Sequence, residues 1–209
     1  MPVTTVSAEE VAGWLRAGKV VVVPTETVYG LAVRAGDPEG LRRVFALKDR
    51  PAEVNLPVLI GHPDQLAGLG VDFDPVARAL AERFWPGPLT LVMGFEAAAE
   101  RPAWLAGRVE VAVRLPDLEL LRRVAELAGP LLLTSANRHG TGPKTSVAEA
   151  VASLAGEVDA AVDAGVLSSV PSTIVNTRRV PPVVERVGSL ASEEVRRAIE
   201  AAPAAGAAP

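Results

Sequence analysis

Val20-Val21-Val22-Val23 followed at once by Pro24 constrains this chain more than any other stretch. β-Branched side chains with no polar residue among them call for burial on both faces, which an inner strand of a sheet provides. Pro24 has no N–H to give to a ladder, so the strand ends there. It passes into a turn carrying two hydroxyls, a carboxylate and a phenol: Thr25, Glu26, Thr27 and Tyr29. Polar groups are thereby delivered from the end of a rigid strand, where α/β proteins tend to hold their ligands.

The rest of the chain alternates helix and strand signals. Ser7-Ala8-Glu9-Glu10 has the spacing of a capping box, with Val11, Trp14 and Leu15 on one face of the helix it opens and Gly18 to end it. Asp37-Pro38 and Asp74-Pro75 each pair a capping carboxylate with proline at the first helical position. Leu41, Val44, Phe45 and Leu47 follow the first at helical spacing, and Val76, Leu80 and Phe84 the second. The first of these helices is expected to end at Lys48-Asp49-Arg50-Pro51. Arg50 should then be extended, because the residue before proline is pushed out of the helical region. Lys48 is read as lying at the helix end in a solvated crevice, where its removal should affect turnover and hardly touch stability.

Leu118, Leu121, Val124 and Leu127 mark a further helix, Ser146-Val147-Ala148-Glu149 caps another, and a last amphipathic one starts at Ser192. Apolar runs at residues 56–60, 89–95, 109–115, 130–134, 160–163, 172–176 and 183–187 read as strands, and residues 96–107 as a surface loop. The pattern predicts an α/β fold with a twisted mixed sheet, parallel and antiparallel, and flanking helices. The late strands are too closely bunched for a purely parallel arrangement. A chain of 209 residues suits one core, so residues 1–200 are read as one domain and residues 201–209, which are all alanine, proline or glycine, as a disordered tail.

With no cysteine and only His62 and His139, the chain has no thiolate nucleophile, disulfide or thiolate metal site, and a poor set for a transition metal. Any catalysis falls to oxygens, amines and guanidinium groups. A formal net charge of −4 argues against a globally basic surface for nucleic acid. No apolar run reaches membrane-spanning length, and residues 1–10 lack a basic start and an apolar stretch. No membrane association and a cytoplasmic location are therefore expected.

Four polar sets sit where apolar strands or buried helices end: Thr25/Glu26/Thr27/Tyr29, Lys48/Arg50, Thr134/Ser135/Asn137 with Lys144, and Ser172/Thr173 with Arg186. Taken singly, each has an ordinary explanation as a turn, a solvated helix end or an edge-strand arginine. Taken together, they allow the fold to converge them on one crevice. Hydroxyls mixed with Lys and Arg, without a Ser/His/Asp set, a metal cluster or a Walker glycine loop, suit recognition of phosphate and carboxylate.

Six blocks also resemble, in order, those of the YrdC-like family, over roughly residues 7–188. They are Pro24-Thr25-Glu26-Thr27-Val28-Tyr29-Gly30-Leu31, Lys48-Asp49-Arg50-Pro51, Trp85-Pro86-Gly87-Pro88-Leu89-Thr90, Val113-Arg114-Leu115-Pro116, Ser135-Ala136-Asn137 and Pro171-Ser172-Thr173-Ile174. The resemblance implies a twisted α/β fold with a concave, positively charged crevice. It implies an L-threonylcarbamoyladenylate synthase that makes threonylcarbamoyl-AMP and pyrophosphate from L-threonine, bicarbonate and ATP with Mg²⁺, for threonylcarbamoyladenosine in tRNA. By position, Thr27, Arg114 and Ser172 are implied as threonine contacts. Lys48, Arg50, Ser135, Asn137, Lys144 and Arg186 are implied as nucleotide and phosphate contacts, with Lys48 and Arg50 catalytic. Arg114 would grip the threonine carboxylate through two parallel bonds. Proteins that transfer the threonylcarbamoyl group are implied partners, and weak binding of tRNA or double-stranded RNA is expected.

This chain departs from the family's pattern at several places. Asn55 is shifted by one position, Glu110 stands where a hydroxyl is frequent, and the phosphate contact among Lys144, Thr145 and Ser146 is open. Two alternatives are a non-catalytic double-stranded RNA or tRNA binder and a carbamoyl transferase of the same fold. Lys48 and Arg50 together favour catalysis over the former.

Overall fold

The structure, a computed structural model, describes residues 2–3, 6–49 and 55–203. In chain order its elements are β1 (Pro2–Val3), α1 (Ala8–Arg16), β2 (Val21–Val23), β3 (Gly30–Arg34), α2 (Pro38–Lys48), β4 (Val58–Leu59), α3 (Pro75–Phe84), β5 (Leu89–Met93), β6 (Val111–Arg114), α4 (Glu119–Ala128), β7 (Leu131–Ser135), α5 (Val147–Ala152), β8 (Ala160–Val162), β9 (Thr173–Asn176), β10 (Val183–Arg186) and α6 (Ser192–Ala201). Short 3₁₀ turns lie at Pro63–Leu69 and Ala103–Leu105.

The described strands form one sheet in the order β1-β8-β2-β3-β7-β4-β6-β5-β9-β10. Parallel pairs (β1 with β8, β2 with β8, β4 with β6, β5 with β9) mix with antiparallel ones (β2 with β3, β3 with β7, β4 with β7, β5 with β6, β9 with β10). The mixed sheet is the architecture expected. β2 is an inner strand, and its alternation explains why every residue in it is apolar. Val20 and Val22 enter the core on one face, and Val21 and Val23 enter the core on the other.

The capped helices begin where local chemistry says they should. Ser7 and Glu10 form the reciprocal capping box of α1, and the carboxylates of Asp37 and Asp74 accept the N–H groups of Gly40 and Ala77 at the starts of α2 and α3. α1 and α4 pack Val11, Leu15, Leu121 and Val124 over β2, β3 and β7 on one face of the sheet. The opposite face is buried beneath Val44 of α2, Leu80 of α3, Ala150 of α5 and Val195 of α6.

Three features differ from the sequence reading. Gly30–Arg34 is a strand, with Leu31, Ala32 and Val33 fully buried, where the sequence pattern marks none. Residues 96–107 are more than a surface loop, because Leu105 within them is fully buried. Tyr29 turns into the core, where its hydroxyl donates to Gly165 O at 2.7 Å and accepts the Ala164 N–H at 3.0 Å. Burial pushes its phenol above the ordinary pKa. It ties the 163–165 turn to β3 and lends nothing to the crevice. α6 runs to Ala201, just past the domain boundary read from sequence, and residues 204–209 of the tail lie outside the described residues. Among the described residues no helix is long and apolar enough to cross a membrane.

Candidate active site

On β5, β6 and β9, neighbouring residues serve opposite purposes. Leu89, Leu91, Met93, Val111, Val113 and Val175 enter the core. Thr90, Val92, Ala112, Arg114 and Ile174, which alternate with them, line a crevice of about 490 Å³. The crevice shares Leu59 and Leu133 with the face that α1 and α4 cover farther along the sheet, so it is the part of that face left without a helix. Thr25, Thr27, Asn55, Ser135, Thr141, Ser172 and Arg186 close its rim.

Arg114, at the end of β6, is nearly enclosed at 7% exposure. Its Nη2 donates to Glu26 Oε1 at 2.7 Å, Nη1 and Nη2 both reach Thr27 Oγ1 at 3.2 Å, and Nε donates to Gly87 O at 3.3 Å. The Trp85-Pro86-Gly87-Pro88 block supplies that carbonyl. Trp85 Nε1 donates to Leu89 O at 2.7 Å and the Gly87 N–H to Leu115 O at 2.9 Å, so the segment is pinned on both sides of Arg114. A guanidinium has five N–H donors, and these contacts engage most of them. The two parallel bonds to a substrate carboxylate expected from sequence are therefore not open as the group stands. The fork they need holds the Thr27 hydroxyl, which a carboxylate must share or displace.

Across the crevice, Arg186 fixes Ser172. Its Nε and Nη2 donate to Ser172 O at 3.0 and 2.9 Å and Nη2 to Ser172 Oγ at 3.0 Å, while Ser172 Oγ pairs with Thr90 Oγ1 at 2.9 Å. Desolvation, and then the positive field of Arg114, hold the Arg186 pKa below its usual value. Two guanidiniums that feel each other across a half-buried space make an anion welcome between them.

Gly188 permits this clasp. A Cβ there would lie 2.2 Å from Pro171 O, and its N–H donates to Thr173 Oγ1 at 2.9 Å. Gly188→Ala is expected to push the end of β10 away from Ser172. The melting temperature should fall by roughly 3–10 °C, and activity should fall with it. A thermal melt unchanged from wild type would contradict so close an approach.

Lys48 occupies a different environment from the one read in the sequence. It is 2% exposed, and its Nζ donates to Ser135 O at 2.5 Å and Asn137 O at 2.6 Å, while its own carbonyl accepts the His139 N–H at 2.7 Å. Asp49, at φ 51°, ends α2 in the left-handed conformation. The ammonium is thus buried at a helix C-terminus, where the dipole favours a cation, and it holds the 135–139 loop in place. The solvated helix end expected from sequence is corrected accordingly: the loop contributed by β7, far along the chain, covers it.

Asn137, also buried, directs Nδ2 to Arg138 O and Thr141 O at 3.0 and 2.6 Å. Lys144 is half-buried and does not line the crevice, although Thr141 and Pro143 do. Ser146 Oγ accepts the Glu149 N–H as the cap of α5, and Thr145 Oγ1 donates to Glu149 Oε2 at 3.3 Å. Arg50 lies outside the described residues. The crevice also brings in Thr90, Glu110 and Glu185, none of which the sequence reading carried into the site. The signal for Thr90 was its place as the lone hydroxyl in an apolar strand. Glu110 pairs with Arg178 at 2.5 Å and Glu185 accepts from Asn176 Nδ2 at 2.7 Å.

A family model described as "Telomere recombination" (Sua5_yciO_yrdC) matches residues 13–188. The chain belongs to the Sua5/YciO/YrdC family. It is 38% identical over 190 residues to a threonylcarbamoyl-AMP synthase of Pyrococcus abyssi, covering 90% of this chain and 56% of that protein. It is 33% identical to a putative threonylcarbamoyl-AMP synthase of Mycobacterium tuberculosis, covering 88% of this chain and 84% of that protein. The chain therefore spans only a little over half the length of some family members and most of others. Among solved structures, P. abyssi Sua5 complexed with L-threonine superposes with a TM-score of 0.83 at 36% identity, over 93% of this chain and 58% of that one. Escherichia coli YciO matches with a TM-score of 0.76 at 23% identity, over 89% and 92% of the two chains, a likeness of fold.

Proposed function

We propose that this protein is an L-threonylcarbamoyladenylate synthase, a nucleotidyltransferase that joins L-threonine, bicarbonate and ATP into threonylcarbamoyl-AMP and pyrophosphate. The observation that carries this reading is the meeting of Thr27, Arg114, Ser172 and Arg186, from four separate segments, around one crevice. Hydroxyls and guanidiniums there suit an amino acid carboxylate beside a phosphate chain. Its family membership and the names of its relatives support the same reading.

The chemistry asks for no enzyme nucleophile. The threonine amine adds to the carbon of bicarbonate with loss of water, giving a carbamate, and a carbamate oxygen attacks the α-phosphorus as pyrophosphate departs. Holding the reactants in line and meeting the phosphate charge supply the catalysis. In this reading Arg186 and Arg50 face phosphate charge. Lys48 keeps the Ser135 and Asn137 loop at the edge of the crevice, and Thr27 and Ser172 orient the amino acid. Among the described residues no three His, Cys, Asp or Glu side chains gather as a metal site, and Glu110 and Glu185 are already engaged. Mg²⁺ brought by ATP would be held through triphosphate oxygens and would offset their charge. The product would pass to proteins that modify tRNA.

The test is pyrophosphate release from ATP and Mg²⁺. Release is expected only when threonine and bicarbonate are both present, and equal release without threonine would sink the proposal.

A further inference from the structure

The carboxylate of Glu26 is satisfied on one side only. Oε1 accepts both Arg114 Nη2, at 2.7 Å, and the Asp117 N–H, at 2.9 Å. Among the described residues, Oε2 is buried without a hydrogen-bond partner. The pair is largely enclosed, with 9% of the Arg114 and 18% of the Glu26 side chain exposed, so water screens it weakly. Half-satisfied, the carboxylate leaves negative potential beside the guanidinium, and the Arg114–Glu26 unit carries no net charge.

A free amino acid has the same pattern in reverse: a carboxylate and an ammonium one carbon apart, with no net charge. When its carboxylate meets the Arg114 end of the crevice, its ammonium lies one carbon behind, in the field of a pair that water screens weakly. Arg186, whose pKa is already lowered by desolvation and by Arg114, adds a second positive group on that side. Without Glu26 the end of the crevice would be strongly cationic and would favour simple anions over a zwitterion.

We propose that Glu26 is a specificity-determining positioning residue: by neutralising Arg114 and leaving negative potential beside it, it selects an α-amino acid over a carboxylate of the same shape that lacks the amine. This rests on the reading that the Arg114 end of the crevice receives the amino acid. Glu26 acts through its charge and through Arg114, and forms no bond to a reacting atom.

The experiment compares L-threonine with 3-hydroxybutyrate, the same skeleton without the amine, in wild type, Glu26→Gln and Glu26→Asp. Calorimetric titration gives the affinity of each ligand, and pyrophosphate release gives the threonine and ATP KM values. Glutamine keeps the shape and an acceptor for Arg114 and Asp117 but removes the charge. The ratio of threonine to 3-hydroxybutyrate affinity is expected to fall about tenfold or more, with threonine KM rising and ATP KM unchanged. Aspartate should restore part of the ratio. A Glu26→Gln protein that melts as wild type and keeps the ratio overturns the proposal. Should Glu26→Gln melt early, the Asp variant decides, because a retracted charge must still lower the ratio and an unchanged one overturns the proposal. Wild type that binds threonine no better than 3-hydroxybutyrate and releases no threonine-dependent pyrophosphate would instead defeat the underlying functional reading.

Discussion

Lys48→Ala is expected to lower turnover by roughly 10²-fold or more and to lower the melting temperature by roughly 5–15 °C. Both effects come from one displacement. The ammonium joins the carbonyls of Ser135 and Asn137, so its loss takes the donor from Asn137 O, leaves Ser135 O with only the Asn137 N–H, and opens a hole where the lysine stem lay. Unsatisfied buried groups and cavities of that kind together cost about 2–4 kcal/mol. The loop carrying Ser135, Asn137 and Thr141 then loses its anchor on α2, and the edge of the crevice goes with it. Lys48→Met separates the two contributions. It refills the hole and should recover much of the melting temperature, but it has no donor for the carbonyls and should leave turnover low. The checks are thermal melts beside steady-state pyrophosphate release. A Lys48→Ala protein that melts with wild type would show that the buried ammonium supports nothing.

Arg114→Ala should be at least as damaging to the fold, and more selective in its kinetics. Removing the guanidinium leaves Glu26 as a mostly buried carboxylate without its cation, and breaking such a pair from one side typically costs about 3–5 kcal/mol. It also releases the Thr27 hydroxyl and the Gly87 carbonyl. If the protein stays folded at assay temperature, threonine KM should rise by roughly 10²-fold while ATP KM moves little, because the charge that meets the carboxylate is common to ground and transition states. The double variant Arg114→Ala with Glu26→Gln should regain part of the stability and none of the threonine affinity. A double variant as unstable as the single one would mean that the stranded carboxylate is not what unfolds Arg114→Ala.

What could be read from sequence and what could not divides along chain distance. Ser7, Asp37 and Asp74 announce α1, α2 and α3 because a capping side chain bonds to a backbone N–H three residues on, so the signal and its consequence share one short window. The burial of Val20-Val21-Val22-Val23 on both faces was legible for the same reason. β3 was not, because Gly30 and Leu31 continue a turn-rich motif, and only pairing with β2 and β7 makes them a strand. The site behaves likewise. Thr27, Arg114 and Ser172 stand in the quoted blocks and Arg186 at the end of an apolar run, and all four line one crevice. The state of Lys48 was misread because the loop that buries it comes from residues 135–139. The engagement of Arg114 by Glu26 and Gly87 also spans long stretches of chain that no local pattern records.

The alternation on β5, β6 and β9 has a consequence for how such a protein can diverge. Core and crevice residues on these strands are immediate chain neighbours, so one inserted or deleted residue would exchange the two sets over the rest of that strand. Thr90 and Val92 would turn inward, and Leu91 and Met93 would face the ligand space. Specificity can therefore drift only by substitution at the crevice positions, with the length of each strand held constant. Gains and losses of residues are confined to the connecting segments, such as 96–110 and 138–146, which reshape the approach to the crevice while leaving its floor in register.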